Sequence, residues 1–107
     1  MGLLFFIYLS MAIIKFETGP GAPDAFNLYE NDVKIGEMIV EIVDGVMTVY
    51  HTEVDEDQEG KGHAKQLLMA MVSYVRENRM KVIPLCPYVH AQFSTDAAQF
   101  SDIWKQE

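Results

Sequence analysis

The chain has 107 residues, half of them apolar and 22% charged, with a formal net charge of −8. That length holds one domain with a real core and not two, and this balance of apolar and charged residues excludes a disordered chain. The acidity, without a basic stripe or arginine-rich segment, argues against nucleic acid as a partner, because the electrostatic term that dominates such binding is missing, whereas a cationic amine would be attracted.

Residues 2–14 are almost all apolar, yet they lack a basic n-region and fall short of the ~20 residues a membrane helix needs, so neither a signal peptide nor a membrane anchor is expected. Met11 is the expected natural start, with residues 1–10 an upstream extension. Ile13 to Phe16 predicts a short strand, closed by the breaker cluster Gly19-Pro20-Gly21-Ala22-Pro23-Asp24. Ala25 to Tyr29 predicts a second strand, and Glu30-Asn31-Asp32 a turn. Val33 to Val43 follows, alternating and rich in β-branched residues. Asp44-Gly45 is a hairpin signal, which makes Val46 to Val54 the antiparallel partner. Strict alternation along that strand puts Met47, Val49, His51 and Glu53 on one face and Val46, Thr48, Tyr50, Thr52 and Val54 on the other.

Past Gly62 the apolar period changes from two to 3.6. Ala64, Leu67, Leu68, Met71, Val72 and Val75 share one stripe, and Lys65, Gln66, Ser73, Arg76 and Glu77 lie off it, which predicts an amphipathic helix ending near Asn78. Lys81 to Cys86 reads as a short strand, at an edge or interrupted because Pro84 cannot donate to a ladder. Tyr88 to Ile103 reads as a second helix. The expected fold is therefore α+β: an antiparallel meander, then a βαβ-like unit, in one mixed central sheet with helices packed on it.

The junction at Val54 to Gln66 concentrates the functional signal. An acidic loop, 55-DEDQE-59, leads to Gly60 and Gly62, which open the helix. Glycines permit close backbone approach, and the first amides of a helix lack intrahelical acceptors at the positive end of its dipole, so the order outlines an anion site with Lys61 and Lys65 beside it. The same glycines also suit a tight structural turn, and on these residues alone both readings stand. Cys86, the single cysteine, cannot form an internal disulfide, no Cys/His group has zinc spacing, and no metal site is expected. Cytoplasm is the expected compartment.

Three motifs in order, His51-Thr52-Glu53-Val54, Gly60-Lys61-Gly62 and Pro84-Leu85-Cys86-Pro87-Tyr88-Val89, resemble the GNAT superfamily of N-acetyltransferases, and within it a short single-domain branch. The resemblance covers roughly residues 35–92 and implies a single acyl-CoA-binding domain over residues 11–107. It implies acetyl-CoA binding, with the pyrophosphate on main-chain amides across Gly60, Lys61, Gly62, His63, Ala64 and Lys65. It also implies that the strand end at Glu53, Val54 and Asp55 splays from its neighbour and pairs its backbone with the pantetheine arm. The superfamily loop, Q/R-x-x-G-x-G/A, falls on Asp57 to Gly62, and Asp57 departs from it, so Gln58 takes the polar role or the amides and lysines suffice.

The activity implied is acetyl transfer to a small-molecule or peptide amine. Such chemistry needs a base for the ammonium, polarisation of the thioester carbonyl and an acid for the leaving thiolate. Cys86 suits the acid or a nucleophile that becomes acylated, against the bland alternative of a small buried hydrophobe. Tyr88 suits the general acid that many relatives place after this strand, or packs at a helix start. His51 suits the base, directly or through water, or is a hydrogen-bonded structural histidine; Glu53 would orient it, bind the amine or end a strand in solvent. The rival function is a CoA-binding or protein-interaction module of the same fold with little turnover.

Overall fold

The computed structural model describes residues 12–106, so the expectations for residues 1–10 and for a start at Met11 lie outside it. Four antiparallel strands form the meander: β1 (Ala12–Glu17), β2 (Asp24–Glu30), β3 (Val33–Val43) and β4 (Val46–Val54). The β3–β4 hairpin turns on Asp44 and Gly45 at φ of 49° and 77°, the left-handed pair that matches strand twist. A 3₁₀ turn at Glu56–Gln58 leads to α1 (His63–Glu77), and β5 (Lys81–Pro84) then pairs parallel to β4. The sheet order is sequential, β1-β2-β3-β4-β5. This is the expected mixed sheet of an α+β fold.

The core lies where α1 meets the sheet. Leu67, Leu68, Met71, Val72 and Val75 are buried on the helix, against Phe26, Leu28, Met38, Val40, Met47 and Val49 from β2, β3 and β4. Each such side chain withdrawn from water contributes roughly 1.5–3 kcal/mol before entropy is counted, so this stripe holds α1 to the sheet. Phe16, Phe26 and Tyr74 close its outer end, with ring centroids 4.8 to 5.6 Å apart.

Three local expectations are corrected. Strand β5 stops at Pro84 rather than Cys86. It is the edge strand that its proline suggested, with its outer side partly covered: the Val82 amide donates to the Ile103 carbonyl, and the Val82 carbonyl accepts from the Lys105 amide, at 2.7 and 2.9 Å. Pro84, two residues on, turns its donorless nitrogen to the same outer side, where no ladder is lost.

The expected single helix from Tyr88 to Ile103 is two, α2 (Pro87–Thr95) and α3 (Ala97–Phe100), broken at Asp96 with φ −134° and ψ 63°. In one straight helix Phe93 and Phe100 would share a face about 10 Å apart along the axis. The break lets their rings stack at 4.7 Å, with Trp104 against Phe93 at 5.6 Å. Aromatic burial thus outweighs helix continuity.

The faces of β4 are the third correction. Ile39 pairs with His51 but Val40 pairs with Val49, so Tyr50 is an extra, bulged residue. The bulge reverses the alternation: Thr52 and Val54 pair with Met38 and Gly36 on the core face that holds Val49, while His51 and Glu53 lie on the opposite face. His51 therefore does not share a face with Met47 and Val49.

A candidate functional cleft where beta4 and beta5 part

The same bulge builds the site. The β4–β5 ladder runs from Val46 with Lys81 to Val49 with Pro84 and stops there. Its last bond comes from the Cys86 amide to the Val49 carbonyl at 2.8 Å. From Tyr50 to Val54 this edge of β4 has no strand partner among the described residues. Tyr50, exposed on the bulge, is steadied by donating its hydroxyl to Glu41 Oε1 at 2.8 Å.

A cleft of about 210 Å³ opens where β4, the glycine loop and α1 converge, lined by Val54, Gln58, Gly60, His63, Lys65 and Tyr88 among others. Gly60 and Gly62 both take left-handed φ, 83° and 82°. A Cβ at either would meet no atom within 4 Å, so the glycine requirement is conformational rather than spatial. Gly62 is the N-cap, and no side chain caps α1; the first intrahelical bond runs from the Gln66 amide to the Gly62 carbonyl at 3.1 Å. The amides of His63, Ala64 and Lys65 therefore stay open to a ligand, at the positive end of a helix of 15 residues.

Around this cradle the side chains divide. Gln58 lines the cleft and accepts from Lys61 Nζ at 3.2 Å, whereas Asp57 is exposed and outside the lining. Lys65 and Glu59 both reach the lining, so the added positive charge is partly offset. Of the strand end, Val54 faces the cleft; Glu53 and Asp55 line a separate hollow of about 260 Å³ with Lys34, Gly36 and Glu37.

Tyr88 follows Pro87, the first residue of α2, and lines the cleft together with the glycine loop. Burial pushes its phenol above the ordinary tyrosine value, and the Cys86 thiol adds in the same direction. The hydroxyl therefore keeps its proton at neutral pH. Cys86, the N-cap of α2, is 2% exposed and lies outside the lining, with Sγ 3.3 Å from Thr52 Oγ1. His51 is exposed on the far face of the sheet, Nε2 3.4 Å from Glu53 Oε1. The structure thus gathers Val54, the glycine loop and Tyr88 at one cleft, buries Cys86 beside it, and leaves His51 and Glu53 across the sheet.

Sequence reasoning missed the His63 side chain and the Thr52 contact. His63 is buried, and stepping back by four from Leu67 along the apolar stripe would have found it. Thr52 meets Cys86 only because the bulge returns it to the core face, a contact 34 residues apart with no local signal.

Comparison with known proteins agrees with this architecture. No curated protein matches the chain by sequence. Among solved structures, a GCN5-like protein of Staphylococcus aureus shares the fold with a TM-score of 0.63 at 23% identity, over 87% of this chain and 89% of that one. The ribosomal-protein-S18-alanine N-acetyltransferase of Escherichia coli gives 0.61 at 15%, over 69% and 66%. A GNAT family acetyltransferase of Elizabethkingia anophelis with acetyl-CoA bound gives 0.58 at 15%, over 68% and 63%. The profile of the GCN5-related N-acetyl-transferase family matches residues 25–103, which takes in the meander from β2 onward, the glycine loop, α1, β5 and the Cys86-Pro87-Tyr88 turn. The chain belongs to that family of acyltransferases, the GNAT superfamily its motifs resemble.

Proposed function

We propose that this protein transfers the acetyl group of acetyl-CoA to a small-molecule or peptide amine, as one domain over residues 11–107. The observation that carries the reading is the coincidence of two features at one cleft: among the described residues, β4 has no partner on this edge beyond Val49, and no side chain caps the start of α1 behind Gly60 and Gly62. The first suits an amide-bearing arm and the second a pyrophosphate, the two chemically distinct halves of CoA. Gly60, Lys61, Gly62, His63, Ala64 and Lys65 would supply the amides and positive charge, and the backbone at Glu53, Val54 and Asp55 the pairing edge.

In this reading the acceptor nitrogen attacks the thioester carbonyl, the C–N bond forms as the C–S bond breaks, and the departing sulfur takes a proton from the Tyr88 phenol. The amine sheds its proton to water, which would have to relay it to His51, with Glu53 beside it, because both lie on the far face of the sheet and outside the cleft lining. Burial of the Cys86 thiol supports direct transfer over an acyl-cysteine route, and leaves Cys86 to back the wall behind Tyr88. Similar folds in enzymes named for ribosomal-protein alanine and for aminoglycosides support an amine acceptor. A lone reduced cysteine suits the cytoplasm.

A thermal melt with acetyl-CoA at about a hundred times its Kd, paired with free-thiol release across an amine panel, tests this. Linkage predicts ~2.7 kcal/mol of added stability, roughly 10 to 20 °C in Tm for a domain of this size. A shift with thiol release supports transfer. A shift without release, unaltered by any amine, would make the protein a CoA-binding module, and no shift at saturation would sink the cofactor assignment itself.

A further inference from the structure

A second hollow opens beside the bulge in β4. About 450 Å³ in volume, it has an apolar wall of Ala22, Pro23 and Ile39, and Asp24, Glu41 and Tyr50 complete its lining. Register places it on the face turned away from α1: Ile39 pairs with His51 and Glu41 with Thr48, while Met38 and Val40, on either side of Ile39, belong to the core beneath the helix. The Tyr50 hydroxyl donates to one oxygen of Glu41 at 2.8 Å. Among the described residues, no lysine, arginine or histidine pairs with Glu41 or Asp24.

Its position matters as much as its lining. With the pyrophosphate at the start of α1, the arm of CoA would run along the free edge of β4 from Val54 back to Tyr50. Those four residue steps cover about 13 Å. The pantetheine arm is long enough to follow them, which brings the thioester to the bulge and the hollow to the place where an acceptor must arrive. An apolar wall with carboxylates at its lip suits an ammonium on an aliphatic stem. It is a poor seat for the nitrogen that reacts, because a neighbouring carboxylate favours the charged form and the attacking amine must be neutral. The ammonium held there is therefore a second one. We infer that the hollow holds the non-reacting ammonium of an acceptor with two amino groups on a short aliphatic chain, so that Glu41 and Asp24 select diamines over monoamines while the other nitrogen meets the thioester beside Tyr50. The inference rests on the acetyl-CoA reading above.

The test follows thiol release from acetyl-CoA with straight-chain diamines of graded length and with alkyl monoamines of matching length. The wild type is expected to use the best diamine with a kcat/KM about tenfold above that of its matched monoamine, the worth of one hydrogen bond to a charged group. Glu41→Gln keeps an acceptor for the Tyr50 hydroxyl and removes the charge, and Asp24→Asn does the same at the other carboxylate. Each is expected to shrink the ratio severalfold, through a raised KM for the diamine, while the melting shift with acetyl-CoA persists and shows that fold and cofactor site are intact. A wild-type ratio near one, which needs no variant to fold, overturns the inference and leaves the acetyl-CoA reading standing, and so does a ratio that neither substitution moves. A wild type that is not stabilised by acetyl-CoA, or that releases no thiol with any amine, overturns the transfer reading and this inference with it.

Discussion

At Tyr88 the environment selects which chemistry the side chain can do. A phenol whose burial raises its pKa stays protonated near neutral pH and is not available there as a base, so the role proposed for it in acyl transfer is to give a proton to the departing sulfur. Tyr88→Phe is expected to lower kcat by roughly 10²- to 10⁴-fold while the KM for acetyl-CoA changes little. The wild-type kcat should hold on the alkaline side until the pH approaches the raised phenol value, above the ordinary ~10, and the variant should lack that limb. An unchanged kcat in Tyr88→Phe would reduce Tyr88 to packing. The Cys86-Pro87-Tyr88 run was picked out by its resemblance to a family motif, while local signals gave only its neighbourhood, a strand ending nearby and a helix starting at about Tyr88, and the structure adds the proline at helix position N1. His51 was misplaced for the opposite reason, since its orientation depends on one extra residue, Tyr50, and a bulge leaves no mark in alternating composition.

Among the elements, α1 and the loop before it carry most of the site, and their legibility differs. The apolar stripe was plain, because a 3.6 period over 15 residues has few rivals. The loop's geometry was ambiguous, because glycine is compatible with many backbones. The left-handed φ at Gly62 removes that ambiguity and yields a prediction. Gly62→Ala meets no atom with its new Cβ, so its cost is purely conformational, about 1–2 kcal/mol, or some 5 to 10 °C in Tm. Gly19→Ala, also in open space but without a left-handed φ, should be neutral or slightly stabilising and serves as the control. Thermal melts of the pair check this. Equal behaviour of the two variants would mean the loop does not hold the left-handed turn that aims the amides of α1.

Over the whole molecule, binding and stability are assigned to opposite ends of α1. His63 opens the cleft at one end; Arg76, about 20 Å along the axis, anchors the other. Its Nε and one Nη donate to the two oxygens of Asp102 at 2.9 and 3.1 Å, and the same Nη donates to the Gln99 carbonyl at 2.8 Å. Lys81, at the start of β5, donates to the Asp102 carbonyl at 2.7 Å. This fork ties helix, strand and C-terminal segment together after Trp104 has crossed to Val82. The Arg76 hydrogen bonds hold the Asp102 carboxyl below its ordinary value. A carboxyl depressed in the folded state adds stability that is complete above the unfolded pKa, near ~3.9, and is lost as pH falls through the lower folded value. Both side chains are substantially exposed, 40% and 56%, so solvent screening limits the pair to about 0.5–1 kcal/mol. Asp102→Asn should therefore lose that amount in urea melts at pH 7, lose less in high salt, and converge with the wild type as acid protonates Asp102 in both states. Its acetyl-CoA affinity should not change, because nothing in the fork touches the cleft. A variant whose affinity fell along with its stability would show that the sheet transmits strain from the C-terminal clamp to the β4–β5 splay, and the two ends of α1 would have to be treated as one site.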